Sequence, residues 1–401
     1  MDDKRRKIIT FFLFAFMLFF GVSAGMSGNI QAEIIKAYQL DLEQASLFIT
    51  FQEIGSILAM LFSVLVADRL KKDRLVGLLL LLMGLFNLLI GTAPIFLLLL
   101  FAKTGSYVFS NIANNTSSAY ISDLYHSESS QNMSLLHMLF GVGALIGPLY
   151  ATLIDRAGYG WNGSHLLLGG AVLLFVAGYV FLLRKQKVQA DAATPVGLFP
   201  ARQARIPLRA MLMDGNMRVL CIVGACLASY QLFITWLPTY LYNQDTVLYT
   251  VERRSFIITA YYVGMIISRL CYSALSKKVS THAYVRFACL TSVAILGISL
   301  FFQTYQLWLI GNFLLGLTSG ALYTAQFILV CKQFPAFSAG SSSMVSLFSA
   351  LGAMLVNSVI GVVAGRGAFT EAMYIPVIMI AIAFVLMLSF YKPKQIAPDS
   401  A

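Results

Sequence analysis

Two ionisable side chains stand far from other charges inside apolar stretches of this sequence: Glu53 in SLFITFQEIGSILAMLFSVLV and Lys103 in IFLLLLFAKTGSYVF. A lone carboxylate at the centre of a hydrocarbon layer costs ~2.5–3.5 kcal/mol on insertion scales, so it is expected to face a cavity or a partner. Glu53 is therefore read as a site that takes up and releases a proton or a cation. The plain alternative is a protonated glutamate that only packs helices. Lys103 has two readings. Its four-carbon stem could carry the ammonium out to an interface, or it could turn inward to pair with Glu53 or with an anionic ligand group.

An uncharged set offers a second kind of chemistry. Asn111, Asn114, Asn115, Tyr230, Gln231, Trp236, Tyr261, Tyr262, Tyr323, Gln326 and Asn357 all lie in apolar stretches. Amides and hydroxyls both donate and accept, which suits a hydroxylated neutral ligand, and aromatic rings suit its C–H faces. Taken singly, each is adequately explained as a hydrogen bond between helices, worth only ~0.6 kcal/mol on average. Asn115, Gln231, Trp236 and Gln326 lead the set. Arg269, Asp68, Arg69 and Asp123 fall towards the ends of apolar stretches, where charges anchor or clamp neighbouring helices and gate them more readily than they bind a ligand.

Catalytic and metal chemistry find no support. His126, His137, His165 and His282 lack metal-ligand spacing, and no nucleophile–base–acid set is suggested. Cys221, Cys226, Cys271, Cys289 and Cys331 sit in or at the ends of apolar stretches and read as small filler. No glycine loop ending in Lys-Ser or Lys-Thr is present to cradle nucleotide phosphates, so no cofactor is expected.

The elements that must position these residues are membrane spans. Hydrophobic residues make up 59% of the chain and charged ones 11%, against ~25% charged in a soluble domain. Apolar runs long enough to cross ~30 Å of hydrocarbon recur at 8–33, 44–67, 75–93, 95–121, 133–154, 164–183, 217–242, 255–276, 284–302, 305–331, 340–364 and 370–391. Lys4 to Lys7 before the first run resembles a signal peptide. That run is too long, however, and is read as a retained helix. Lys185 to Arg218, with three prolines, is the long polar interval, and it is read as a tether between residues 1–184 and 219–401. Starting inside the cytoplasm, twenty-one basic residues fall on inner segments and five, including Arg253 and Arg254, on outer ones. The net charge of +11 therefore reads as the positive-inside bias, with both termini cytoplasmic, and not as a nucleic-acid surface.

The halves are alike. LHMLFGVGALIGPLY at 136–150 compares with SLFSALGAMLVNSVI at 346–360, where Gly143-Ala144 answers Gly352-Ala353. Such weak repetition is what a duplicated six-helix unit leaves. Gly141, Gly143, Gly147 and Pro148, and likewise Gly311, Gly316 and Gly320, permit close helix approach or hinging. Trp236-Leu237-Pro238 is a candidate kink.

With VLVADRLKKDR (64–74) as the second-to-third turn, the chain resembles the major facilitator superfamily. The turn matches that family's Gly-x-Leu-Ala-Asp-Arg-x-Gly-Arg-Lys pattern at Ala67, Asp68 and Arg69, with Val64 and Lys71 in place of its glycines. ANNTSSAYISDLYHSESSQNMSLLHMLFGVGALIGPL (113–149), SYQLFITWLPTYL (229–241) and GMIISRLCYSALSKK (264–278) are similar to the fucose–galactose–proton symporters and bacterial glucose/mannose permeases. Those symporters usually carry acids in helices 1 and 4, where this chain has Gly28-Asn29 and Asn114-Asn115.

The resemblance implies an all-α membrane protein of twelve helices in two pseudo-symmetric bundles. It further implies a monomeric secondary transporter in the cell's inner membrane, without nucleic-acid partners. The expected substrate is a small polar solute, a sugar, moved by alternating access with proton coupling through Glu53 and Lys103. A drug or metabolite exporter working as a proton antiporter is the alternative within the superfamily. An enzyme has no residues to support it. A non-transporting receptor would need a larger polar segment than residues 185–218.

Overall fold

The computed structural model describes residues 3–66, 72–125, 129–190, 208–275, 278–334 and 338–391. They form α1 (Asp3–Tyr38), α2 (Leu42–Val66), α3 (Lys72–Thr92), α4 (Phe96–Leu124), α5 (Ser129–Arg156), α6 (Gly160–Ala190), α7 (Leu208–Met213) and α8 (Gly215–Leu227). There follow α9 (Ser229–Gln244), α10 (Val251–Leu275), α11 (Thr281–Phe302), α12 (Tyr305–Ser319), α13 (Leu322–Gln333), α14 (Ser338–Gly365) and α15 (Phe369–Ser389). No strand occurs among the described residues. Twelve helical segments among them are long and apolar enough to cross a membrane, and each overlaps one expected from the sequence.

Local chemistry sets the turns. Between α1 and α2, Gln39 adopts φ 52°. Asp41 Oδ1 then accepts from Gln44 N at 2.7 Å while Gln44 Oε1 accepts from Asp41 N at 3.2 Å, a reciprocal cap that starts α2. Gly158 and Gly160 supply φ of 81° and 59° between α5 and α6, angles that cost a residue with a Cβ. Asp214 Oδ1 accepts from Met217 N at 2.8 Å and starts α8.

Two spans expected to be continuous are broken. The seventh is α8 followed by α9 with a turn at Ala228, and the tenth is α12 followed by α13 with a turn at Gly320 and Ala321. A third correction concerns the eighth span, which begins at Val251, not at 255. Arg254, counted from the sequence as an outer-loop cation, is instead 2% exposed inside α10. Glu252 and Arg253 were too few charges to stop the helix, and the polar first turn hid its start.

The chain divides into two compact units, residues 1–199 with 234–262 and residues 200–233 with 263–401. In the first, α1 packs along α5, α3 on α6 and α2 on α4; in the second, α8 packs on α14 and α11 on α15. Glycines allow the tightest of these approaches. A Cβ on Gly143 would collide with the Leu18 carbonyl of α1, and one on Gly352 with Ala225 of α8. The two glycines matched by the internal repeat thus seat equivalent helix pairs, each within its own unit. The tether's residues 191–207 lie outside the described residues.

Candidate functional site

A polar seam runs through the first unit along α1, α2 and α4. Successive turns of α4 place Lys103, Tyr107 and Asn111 in one row, because residues four apart share a helix face. Lys103 is 1% exposed. It does not run out to an interface. Its Nζ donates to Ser27 Oγ of α1 at 3.2 Å and lies 4.4 Å from the Phe48 ring centroid of α2 and 5.0 Å from that of Tyr107. Ser27 in turn donates to Ser23 O at 3.0 Å. The Tyr107 phenol lies against Ser27, with Glu53 and Tyr262 near it.

Glu53 faces this seam without pairing with Lys103. Its Oε1 accepts from Gln52 Nε2 at 3.3 Å, and among the described residues no carboxylate forms an ion pair with Lys103. One turn on, Asn111 Nδ2 donates to Tyr107 O at 2.9 Å and to Ser56 Oγ of α2 at 3.4 Å. Asn114 presents a buried Oδ1 without a hydrogen-bond partner. Asn115 is exposed. Tyr261 and Tyr262 are buried on α10 with rings 5.3 Å apart, and Trp236 on α9 is fully buried. The first unit therefore gathers Glu53, Lys103, Asn111 and Tyr262 around Tyr107.

The remaining candidates belong to the second unit and cluster at its two helix breaks. Just after the Ala228 turn, Tyr230 donates through its hydroxyl to Ala288 O at 3.2 Å, while Gln231 is exposed. Beyond the Gly320–Ala321 turn, Gln326 Nε2 donates to Leu220 O at 3.3 Å, and Tyr323 is 65% exposed. Asn357 is fully buried on α14. Arg269 Nε donates to the Gly320 carbonyl at 3.2 Å. The broken ladder leaves backbone acceptors that need a partner inside a membrane, so Arg269 holds the discontinuity together. Asp68 and Arg69, expected to gate, lie outside the described residues, as does the side chain of Asp123.

Several further polar residues join helices without being marked as site candidates by the sequence. Asn87 links α3 to α4 and α6, donating to Ser106 Oγ at 3.2 Å and sharing a hydrogen bond of 3.2 Å with His165 Nδ1. Asn29 of α1 donates to Ser255 Oγ of α10 and to Pro148 O of α5, and Thr152 bonds both Ser255 and Pro148 O. Beside them Arg254 reaches Glu33 at 3.7 Å and the Pro238 carbonyl at 3.5 Å. For Asn29, Asn87 and Thr152 the signal was present, since each is a polar residue in an apolar stretch. Residues of small volume such as Ser27 and Ser255 are so common in spans that nothing singled them out.

Known proteins resemble the chain over nearly its full length. A curated relative, the glucose/mannose transporter GlcP of Bacillus subtilis (strain 168), is 21% identical over 355 residues, 87% of each chain. Among solved structures, a single-site mutant of the nucleoside transporter NupG has a TM-score of 0.77 at 11% identity, covering 96% of this chain and 100% of that one. A bacterial homologue of the human lysosomal transporter Spinster has a TM-score of 0.71 at 13% identity, covering 99% and 100%. These structures share the fold. The model of the Major Facilitator Superfamily matches residues 11–251 and 249–400, and the chain belongs to that family of membrane transporters.

Proposed function

We propose that this transporter moves a small hydroxylated solute, a sugar, across the cytoplasmic membrane, and that a proton carried by Glu53 drives it. The observation that carries the reading is the seam around Tyr107, where a half-buried acid, a buried amine and a half-buried amide come together. Ionisable groups inside membrane spans mark substrate or ion pathways by default. Similarity to a glucose/mannose transporter supports a sugar over other polar solutes.

In this reading the six-helix halves, residues 1–184 and 219–401 joined by 185–218, rock about the solute, as duplicated transporter units do. Exposed Asn115, Gln231 and Tyr323 contact the solute alongside Asn111, Asn114, Trp236, Tyr261 and Gln326, with Tyr230 and Asn357 as supports. Asp68, Arg69, Asp123 and Arg269 gate the inner side, both termini are cytoplasmic, and the monomer is the working unit.

The test is solute counterflow in proteoliposomes against monosaccharides, sugar acids, nucleosides and lipophilic cations. Exchange of a monosaccharide or sugar acid supports the reading. Exchange of lipophilic cations alone replaces it with an exporter.

A further inference from the structure

Among the described residues the Lys103 ammonium has a single hydrogen-bond acceptor, the Ser27 hydroxyl at 3.2 Å, and aromatic faces at 4.4 Å and 5.0 Å. An ammonium has three donors, and rings offset its charge only in part. The titratable groups around Lys103 and Tyr107 are Glu53 from α2, Tyr107 on α4 itself, His165 from α6 and Tyr262 from α10. A phenol or an imidazole cannot offset a cation near neutral pH, so Glu53 is the one source of negative charge in this set. Glu53 lies near Tyr107, accepts from Gln52 and forms no ion pair with the ammonium among the described residues.

Two states of this seam follow. With Glu53 ionised, opposite charges flank Tyr107 and the seam is neutral. With Glu53 protonated, a buried cation is left uncompensated, a situation strongly disfavoured in a low-dielectric interior. Protonation therefore creates a demand for an anion at Lys103, whose free donors can meet a carboxylate.

We propose that the solute is a small polyhydroxylated monocarboxylate, a sugar acid, and that it crosses together with one proton. This rests on the reading of Glu53 as proton carrier. The proton bonds to the Glu53 carboxylate, the solute carboxylate becomes the counter-ion of Lys103, and both leave on the opposite side. One positive and one negative charge move together, so the step is electroneutral. Asn111 and Asn114, one and two turns beyond Tyr107, are placed to meet the solute's hydroxyls.

The experiment uses the full chain in proteoliposomes with D-glucuronate and D-glucose as probes. Under an imposed pH difference, acidic outside, glucuronate is expected to accumulate by up to about tenfold per pH unit, the factor equivalent to one unit of proton gradient. A potassium–valinomycin potential of either sign should leave that accumulation unchanged. Lys103→Gln should lower glucuronate uptake about thirtyfold or more, as removal of one partner of a buried charge pair does, while Lys103→Arg retains part of it. Should Lys103→Gln fail to fold, the wild-type measurements decide alone. Exchange of glucose without glucuronate overturns this inference and leaves the sugar transporter standing, as does accumulation that follows the membrane potential. Absence of exchange for both probes overturns the sugar reading and this inference together.

Discussion

Lys103 Nζ donates to Ser27 Oγ at 3.2 Å and so ties α4 to α1 within the first unit. Ser27→Ala removes the one hydroxyl that accepts from this ammonium among the described residues. The expected cost is about 1–3 kcal/mol, the penalty for a buried donor left without its partner. Ser27→Thr, which keeps the hydroxyl, is expected to lose less. Thermal denaturation of the purified protein checks both, and an unchanged midpoint for Ser27→Ala would mean that the ammonium finds another acceptor.

Glu53→Gln is expected to abolish accumulation driven by a pH difference. The amide stands for the protonated acid at every pH, so no proton can be released on the inner side. Exchange down a solute gradient continues, since the rocking motion does not need the proton to leave. Proteoliposomes loaded with only a pH difference provide the measurement. Continued uphill uptake would show that another group carries the proton.

Asn115→Ala and Gln231→Ala are each expected to weaken solute binding by about 1–3 kcal/mol, because a ligand hydroxyl then loses its partner in a desolvated site. Both side chains are exposed. Isothermal titration reads the effect, and unchanged affinity in both would move the site away from these residues.

Gly143→Ala places a methyl group against the Leu18 carbonyl, whereas Gly297 on α11 has open space around it. Overpacking of this kind typically costs about 1–3 kcal/mol. In contrast, Gly297→Ala is expected to be neutral or to stabilise by up to about 1 kcal/mol through helix propensity. Equal melting temperatures for the two variants would contradict the close approach of α1 and α5.

Ala190→Cys, at the end of α6, is expected to react with an impermeant thiol reagent only when the inner face is opened. The basis is the concentration of lysine and arginine on the same side of the chain. A background with Cys221, Cys226, Cys271, Cys289 and Cys331 replaced is needed to read it. Labelling from outside intact cells would reverse the topology.

What the sequence determined by itself was the count and order of spans, the duplicated halves and the family. These rest on hydropathy summed over some twenty residues, on charge between spans, and on turn motifs such as VLVADRLKKDR. All of them are local properties that survive without knowledge of neighbours. The repeat even located Gly143 and Gly352, since a helix that must approach another backbone closely needs glycine wherever it lies.

Tertiary structure decided the rest. In spans apolar on every side, hydropathy does not mark which face meets another helix, so the sequence left Lys103 between an interface and the interior. Only the neighbouring Ser27, Phe48 and Tyr107 settle it. Arg254 was misplaced for the same reason, since a cation two residues from an acid reads as loop until Glu33 and the Pro238 carbonyl are seen beside it. The break at Gly320 was equally hidden, because a glycine there serves close packing or discontinuity alike until Arg269 is found on its carbonyl. Each of these decisions depends on at least one partner far along the chain, Ser27 for Lys103, Glu33 for Arg254 and Gly320 for Arg269, and local composition carries no record of which partner a buried polar group will meet.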